Sequence, residues 1–117
     1  MMSGFIIKRI YEPYEIQDGY RVLVDKLWPR GISREKARLD RWSRELAPST
    51  ELRKWFDHID ERFDQFARSY KKELEEHLEE LNELKEIAAH KQVCLLYGAK
   101  NDTHNQAVVL KSVLENL

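Results

Sequence analysis

Three short apolar segments, separated by a long middle of helical spacing, organise this chain. Phe5, Ile6, Ile7 and Ile10 mark a first strand over residues 5 to 10, and the Asp18-Gly19 turn signal leads into a second at about 20 to 27. The second contains Val22-Leu23-Val24, an unbroken apolar run of the kind expected where both faces of a strand are covered. Gln92 to Tyr97 predict a third. In between, Arg41 to Leu46 read as a short helix stopped at Pro48. Ser49 reads as the N-cap of the next helix, which presents Leu52, Trp55, Phe56 and Ile59 on one face. Phe63, Phe66, Ala67, Tyr70 and Leu74, then Leu78, Leu81, Leu84, Ile87 and Ala88, predict two consecutive helices or one bent helix over residues 60 to 89. Their spacing drifts at about 3.6 residues per turn, so the stripe is core rather than a coiled-coil seam. Thr103, with Gln106 three residues on, has the arrangement of a capping box opening a last helix.

Strands joined through helices run parallel as a rule, so the second and third strands should end on the same rim of one sheet. The expected fold is a single α/β domain over residues 1–117, a small three-layer sandwich with a short, mainly parallel sheet and helices packed around it. The short link from the first strand to the second leaves their relative direction open. Ligands of such sheets sit outside the carboxyl ends of the strands. Asp25, Trp28 and Arg30 leave the second strand there, and Tyr97 and Lys100 leave the third. Thr103 and Asn105 place the start of the last helix, with its free N–H groups, on the same rim.

This convergence predicts a site for an anion. Arg30, Arg53, Lys100, Thr103 and Asn105 are the binding candidates, and Trp28 and Tyr97 form an aromatic wall. Asp25 and His58 are the acid-base candidates. Each also has a structural reading. Arg30 could pair with Asp25 or Asp102 and hold the turn that Pro29 and Gly31 impose, and Asp25 would then be only its partner. Trp28 could pack rather than stack a base or sugar. His58, near the carboxyl end of the Leu52 to Ile59 helix, faces the negative end of the dipole, a setting for proton transfer or for C-terminal capping. Cys94, between Val93 and Leu95 in a strand, reads as a buried inert thiol.

Composition removes several classes of function. In 117 residues, 42% hydrophobic and 35% charged, there is one cysteine, so no internal disulfide forms and a reducing, cytoplasmic setting is expected. The N-terminal stretch Met1 to Lys8 reads as no signal peptide, and no run approaches the roughly 20 apolar residues of a membrane span. No Walker A sequence, dinucleotide fingerprint, nucleophile elbow or Cys-x-x-Cys pair occurs, and the four histidines lack metal-ligand spacing. No cofactor and no metal are therefore expected. The net charge of −1 hides a division. Residues 21 to 54 hold ten Lys or Arg against five Asp or Glu, net +5, and residues 55 to 90 hold five against eleven, net −6. The leading expected partner is an anionic small molecule such as a nucleotide, with turnover left open. The alternative is a nucleic-acid-binding module using the basic block Arg30 to Lys54. A third reading makes the acidic Glu73 to Glu86 surface a protein-binding face.

The run from Asp18 through Leu27-Trp28-Pro29-Arg30-Gly31 belongs to a wider pattern. It continues with Ala47-Pro48-Ser49, Leu52-Arg53-Lys54-Trp55-Phe56, His58, Leu96-Tyr97-Gly98-Ala99-Lys100 and Asn105-Gln106-Ala107-Val108-Val109-Leu110. Across nearly the whole chain, in order, it closely resembles the YeaO-like bacterial family, a domain of unknown function. The resemblance implies a small cytoplasmic α/β protein from a prokaryote. It implies no activity and no set of catalytic residues. A cysteine present in some relatives of the broader group has no counterpart here beyond Cys94.

Overall fold

The computed structural model describes residues 4–117, so Met1 to Ser3, the start of the N-terminal stretch, lie outside the described residues. Four strands, β1 (Phe5–Arg9), β2 (Tyr20–Leu23), β3 (Arg41–Trp42) and β4 (Val93–Tyr97), form one sheet in the order β1-β4-β2-β3. Every neighbouring pair is parallel. This settles the direction of the first strand. β1 and β2 do not touch, because β4 lies between them and both run parallel to it.

All five residues of β4 are buried, as are Arg21, Val22, Leu23 and Val24 in and just after β2, so the centre of the sheet is covered on both faces. The two covers differ in kind. On one face, α2 (Thr50–Phe56), α3 (Phe63–Leu74), α4 (Leu78–Ala88) and α5 (Gln106–Glu115) supply the main core, in which Phe56, Phe66, Tyr70, Leu81, Leu84 and Leu110 pack on Val22, Val93 and Leu95. The opposite layer is thin. One turn of helix, α1 (Arg34–Ala37), and loops carrying Trp28, Ile32 and Leu39 cover Leu23, Cys94 and Leu96.

A buried ion network completes the thin layer. Lys8 and Arg21 alternate with the apolar residues of β1 and β2, and both meet Asp18. Lys8 Nζ lies 3.0 Å from each Asp18 oxygen, and Arg21 Nη1 donates to Asp18 Oδ2 at 2.5 Å. Arg21 also donates from Nε and Nη2 to the Ala37 carbonyl, which fastens α1 to the sheet. The three residues are 8%, 3% and 1% exposed (Lys8, Asp18, Arg21), and no buried side-chain polar atom among the described residues lacks a partner. Gly19, next to this network, takes φ +82°, and a β-carbon there would sit 2.3 Å from the Gln92 carbonyl oxygen. Only glycine fits.

Two of the elements before α3 differ from expectation. Arg41–Trp42 is an edge strand, not the start of a helix. It pairs in parallel with β2, Val22 against Arg41 and Leu23 against Trp42, flanked by Asp40 N–H to the Arg21 carbonyl and Ser43 N–H to that of Leu23, and only Arg44–Leu46 turn helically, as 3₁₀. The helix capped by Ser49 ends at Phe56, so Ile59 lies beyond it, and Trp55 is exposed. Of the two alternatives over 60–89, the structure has the two consecutive helices, α3 and α4, joined through a 3₁₀ turn, Glu75–His77.

Ser49 is the cap expected of it. Its Oγ accepts from Leu52 N–H at 3.1 Å, and its own N–H and hydroxyl donate to the two oxygens of Glu73 on α3. Ser49→Ala removes both the cap and a tether between helices. A loss of about 1–2 kcal/mol is expected, read as a lowered urea midpoint at unchanged slope.

Candidate functional site

Beyond the carboxyl ends of β2 and β4 lies a cleft of about 280 Å³, where the parallel arrangement places ligands. Its polar lining includes Asp25, Lys26, Arg53, His58, Asn105 and Gln106, and its apolar walls include Tyr11, Trp28, Phe56 and Phe66.

Asp25 is the centre of this arrangement. Two residues past the end of β2, its Oδ2 accepts the Gly98 N–H at 2.9 Å, and its Oδ1 accepts from Gln106 Nε2. A single carboxyl therefore ties the ends of β2 and β4 to the first residue of α5. The approach depends on Gly98, where a β-carbon would lie 2.8 Å from Oδ2. Burial raises the Asp25 pKa to about 6, against the opposing effects of the Gly98 and Gln106 hydrogen bonds and the charge of Arg53. The carboxyl thus changes charge close to neutrality, which is the property proton transfer requires.

His58 follows α2 directly. Asp57, the C-cap, and His58 both adopt left-handed backbone, with φ of 47° and 56°. Two successive non-glycine residues there cost on the order of 1 kcal/mol each, and strain of this kind gathers at functional sites. His58 reaches the cleft through this turn. Arg53, on the last turn of α2, lines the same wall.

Five of the nine predicted residues meet in the cleft: Asp25, Trp28, Arg53, His58 and Asn105. Four do not line it. Arg30 is exposed in the turn, and its carbonyl accepts the Tyr11 hydroxyl at 2.8 Å; it pairs with neither Asp25 nor Asp102. Tyr97 is 3% exposed and belongs to the core, and Lys100 is exposed outside the cleft. Thr103 does not begin the last helix. Asn101 Oδ1 takes the N–H groups of Thr103 and His104 in a local turn, and α5 starts at Gln106 with Asn105 as its N-cap, accepting from Val108 N–H at 3.1 Å. Trp28 lines the cleft but is anchored for packing as well, donating from Nε1 to the Ile32 carbonyl and meeting Trp42 edge-on at 5.2 Å.

Gln106 and Lys26 are site residues that the sequence pattern does not single out. In the sequence Gln106 has the spacing of the second half of a cap with Thr103; in the structure it is the first residue of α5 and its amide donates to Asp25. Cys94 is buried and its thiol is pushed up to about 12, chiefly by desolvation, as an inert core thiol should be. Among the described residues no cluster of His, Cys, Asp and Glu could hold a metal ion, and no helix is long and apolar enough to cross a membrane.

Comparison with known proteins settles the family. The inactive DUF488-N3 subclade, DUF488-N3i, matches residues 5–117. The chain belongs to this YeaO-like DUF488 family. The uncharacterised protein YeaO of Escherichia coli K12 is 47% identical over 110 residues, 94% of this chain and 96% of that protein. The uncharacterised proteins Mb3100c of Mycobacterium bovis and Rv3073c of Mycobacterium tuberculosis are each 38% identical over 108 residues, 92% of this chain and 91% of theirs. No solved structure matches the chain significantly.

Proposed function

We propose that this YeaO-like protein binds a small phosphorylated or otherwise anionic molecule, of nucleotide-like size or smaller, in the cleft at the carboxyl rim. The observation that carries this reading is one desolvated carboxyl, Asp25, sharing a single concavity with Arg53, whose charge acts on it, and with Lys26 and His58. The cations hold the anionic group of the ligand. Among the described residues each Asp25 oxygen has one protein donor, which leaves lone pairs for a hydroxyl or amino group elsewhere on the ligand. Asp25 and His58 are the groups able to exchange a proton with it. The subclade's description as inactive supports binding without turnover as the working function. The single buried cysteine and the bacterial relatives support a bacterial cytoplasmic setting.

The test is a thermal-shift comparison of the wild type and Arg53→Ala with pyrophosphate, nucleoside monophosphates and sugar phosphates. A compound present at about 100 times its dissociation constant should stabilise the wild type by about 2.7 kcal/mol, with most of the shift lost in Arg53→Ala. Equal shifts in both proteins, or none with any of these probes, would remove the cleft as the binding site.

A further inference from the structure

A second charged surface lies on the thin face of the sheet, and the cleft does not explain it. Arg34 lies 4.5 Å over the Trp28 ring and 5.6 Å from that of Trp42, and Arg44 lies 4.7 Å over Trp42. Arg38, at the end of α1, covers Tyr14 at 4.3 Å. All three arginines are exposed, and none forms an ion pair among the described residues. Their neighbour Arg41 behaves oppositely, held by Glu80 at 2.9 Å and Glu83 at 2.8 Å. The two tryptophan rings behind Arg34 and Arg44 are fixed, because Trp28 Nε1 donates to the Ile32 carbonyl and Trp42 Nε1 to that of Asp25. Three guanidinium groups are thus held over aromatic supports, with their charge and donors unspent.

We infer that this arginine-on-aromatic surface binds single-stranded nucleic acid, independently of the ligand in the cleft. Unpaired guanidinium groups take phosphate oxygens bidentately, and their flat faces stack on unpaired bases. A duplex hides those base faces inside its own stack. An acidic protein surface would engage the charge but gain nothing from planes set against tryptophan. Long-range attraction comes from the cationic excess of residues 21 to 54, +5 in sequence and smaller once Arg21 and Arg41 are paired with Asp18, Glu80 and Glu83.

Fluorescence anisotropy with a labelled oligouridylate of about 12 nucleotides, over a series of salt concentrations, tests this. The wild type should bind, with affinity falling linearly in log–log form against salt. Arg34→Ala/Arg44→Ala should bind at least about tenfold more weakly, with the slope reduced by about 1.4, or about 0.7 for each phosphate no longer neutralised. Arg34→Lys/Arg44→Lys should keep the slope and still lose affinity, because charge remains and the planes do not. Arg53→Ala should bind as the wild type does, which separates this surface from the cleft. Circular dichroism checks that each variant is folded. No binding at low salt, unchanged binding by the alanine pair, or equally tight binding of duplex DNA or polyglutamate would overturn the inference.

Discussion

Asp18→Ala is expected to cost about 3–5 kcal/mol, the largest single-residue loss on the polar side of this fold. The substitution removes the carboxylate that Lys8 and Arg21 share beneath the thin layer; Lys8 keeps the Pro13 carbonyl and the exposed Glu15, and among the described residues the Arg21 guanidinium keeps the Ala37 carbonyl alone. For a chain of this size the loss lowers Tm by more than about 10 °C. Burial works against both charges in the native pair. The hydrogen bonds and mutual attraction outweigh it, so Asp18 is held below its ordinary value of 3.8 and Lys8 above 10.5. For a carboxyl with a lowered folded pKa, the stabilisation is present above about pH 4 and is lost as pH falls towards the folded value. The wild type should therefore lose stability steeply below pH 4, and Asp18→Ala should show a flatter acid limb. A stability within about 1 kcal/mol of the wild type's, from urea denaturation, would show that the network contributes little.

Asp25→Asn should act in the opposite direction and stabilise the protein. Asp25 has a raised folded pKa, so its contribution is most favourable below about pH 4 and is lost as pH rises through about 6. The interval between 3.8 and about 6 corresponds to about 3 kcal/mol of cost at pH 7 and above. Asparagine carries no charge to desolvate. Its carbonyl still accepts from Gly98 N–H, and its amide can donate to Gln106 once that side chain turns its oxygen inward. The variant should be more stable than the wild type at pH 7.5 by up to about 3 kcal/mol and indistinguishable from it near pH 4. Chemical denaturation at both pH values checks this. With Asp18 adding stability as pH rises to about 4 and the cost of Asp25 growing from about 4 to about 6, these two groups together place the greatest stability near pH 4. A carboxylate that costs stability at working pH is a feature of sites maintained for function rather than for folding.

The central strands are legible in the sequence because Val22-Leu23-Val24 and Val93 to Tyr97 are uninterrupted apolar runs, and the parallel rule then places Asp25 and Gly98 on one rim. β3 is not legible. Two residues, Arg41 and Trp42, carry no periodicity, and their pairing depends on the backbone of Asp40 and Ser43. The start of α5 is ambiguous in sequence because Thr103 and Asn105 are both competent caps, and the competition is decided by Asn101, whose side chain consumes the N–H groups of Thr103 and His104. Lys8, Asp18 and Arg21 resemble surface charges because strand alternation marks polar positions as solvent-facing. Here that side is closed by a loop and one helical turn, and pairing replaces hydration. Arg30, the most prominent cation of the sequence, lies outside the cleft because its turn carries the side chain into solvent, while Arg53 arrives from α2.

The proposed binding function rests on a desolvated carboxyl poised near neutrality in an otherwise cationic cleft at the rim of the sheet. An NMR titration of the Asp25 side-chain carboxyl carbon, assigned by the signal missing from Asp25→Asn, tests it most directly. A midpoint near 6 is expected. A midpoint near the ordinary aspartate value of about 4 would show a solvated carboxylate and contradict it.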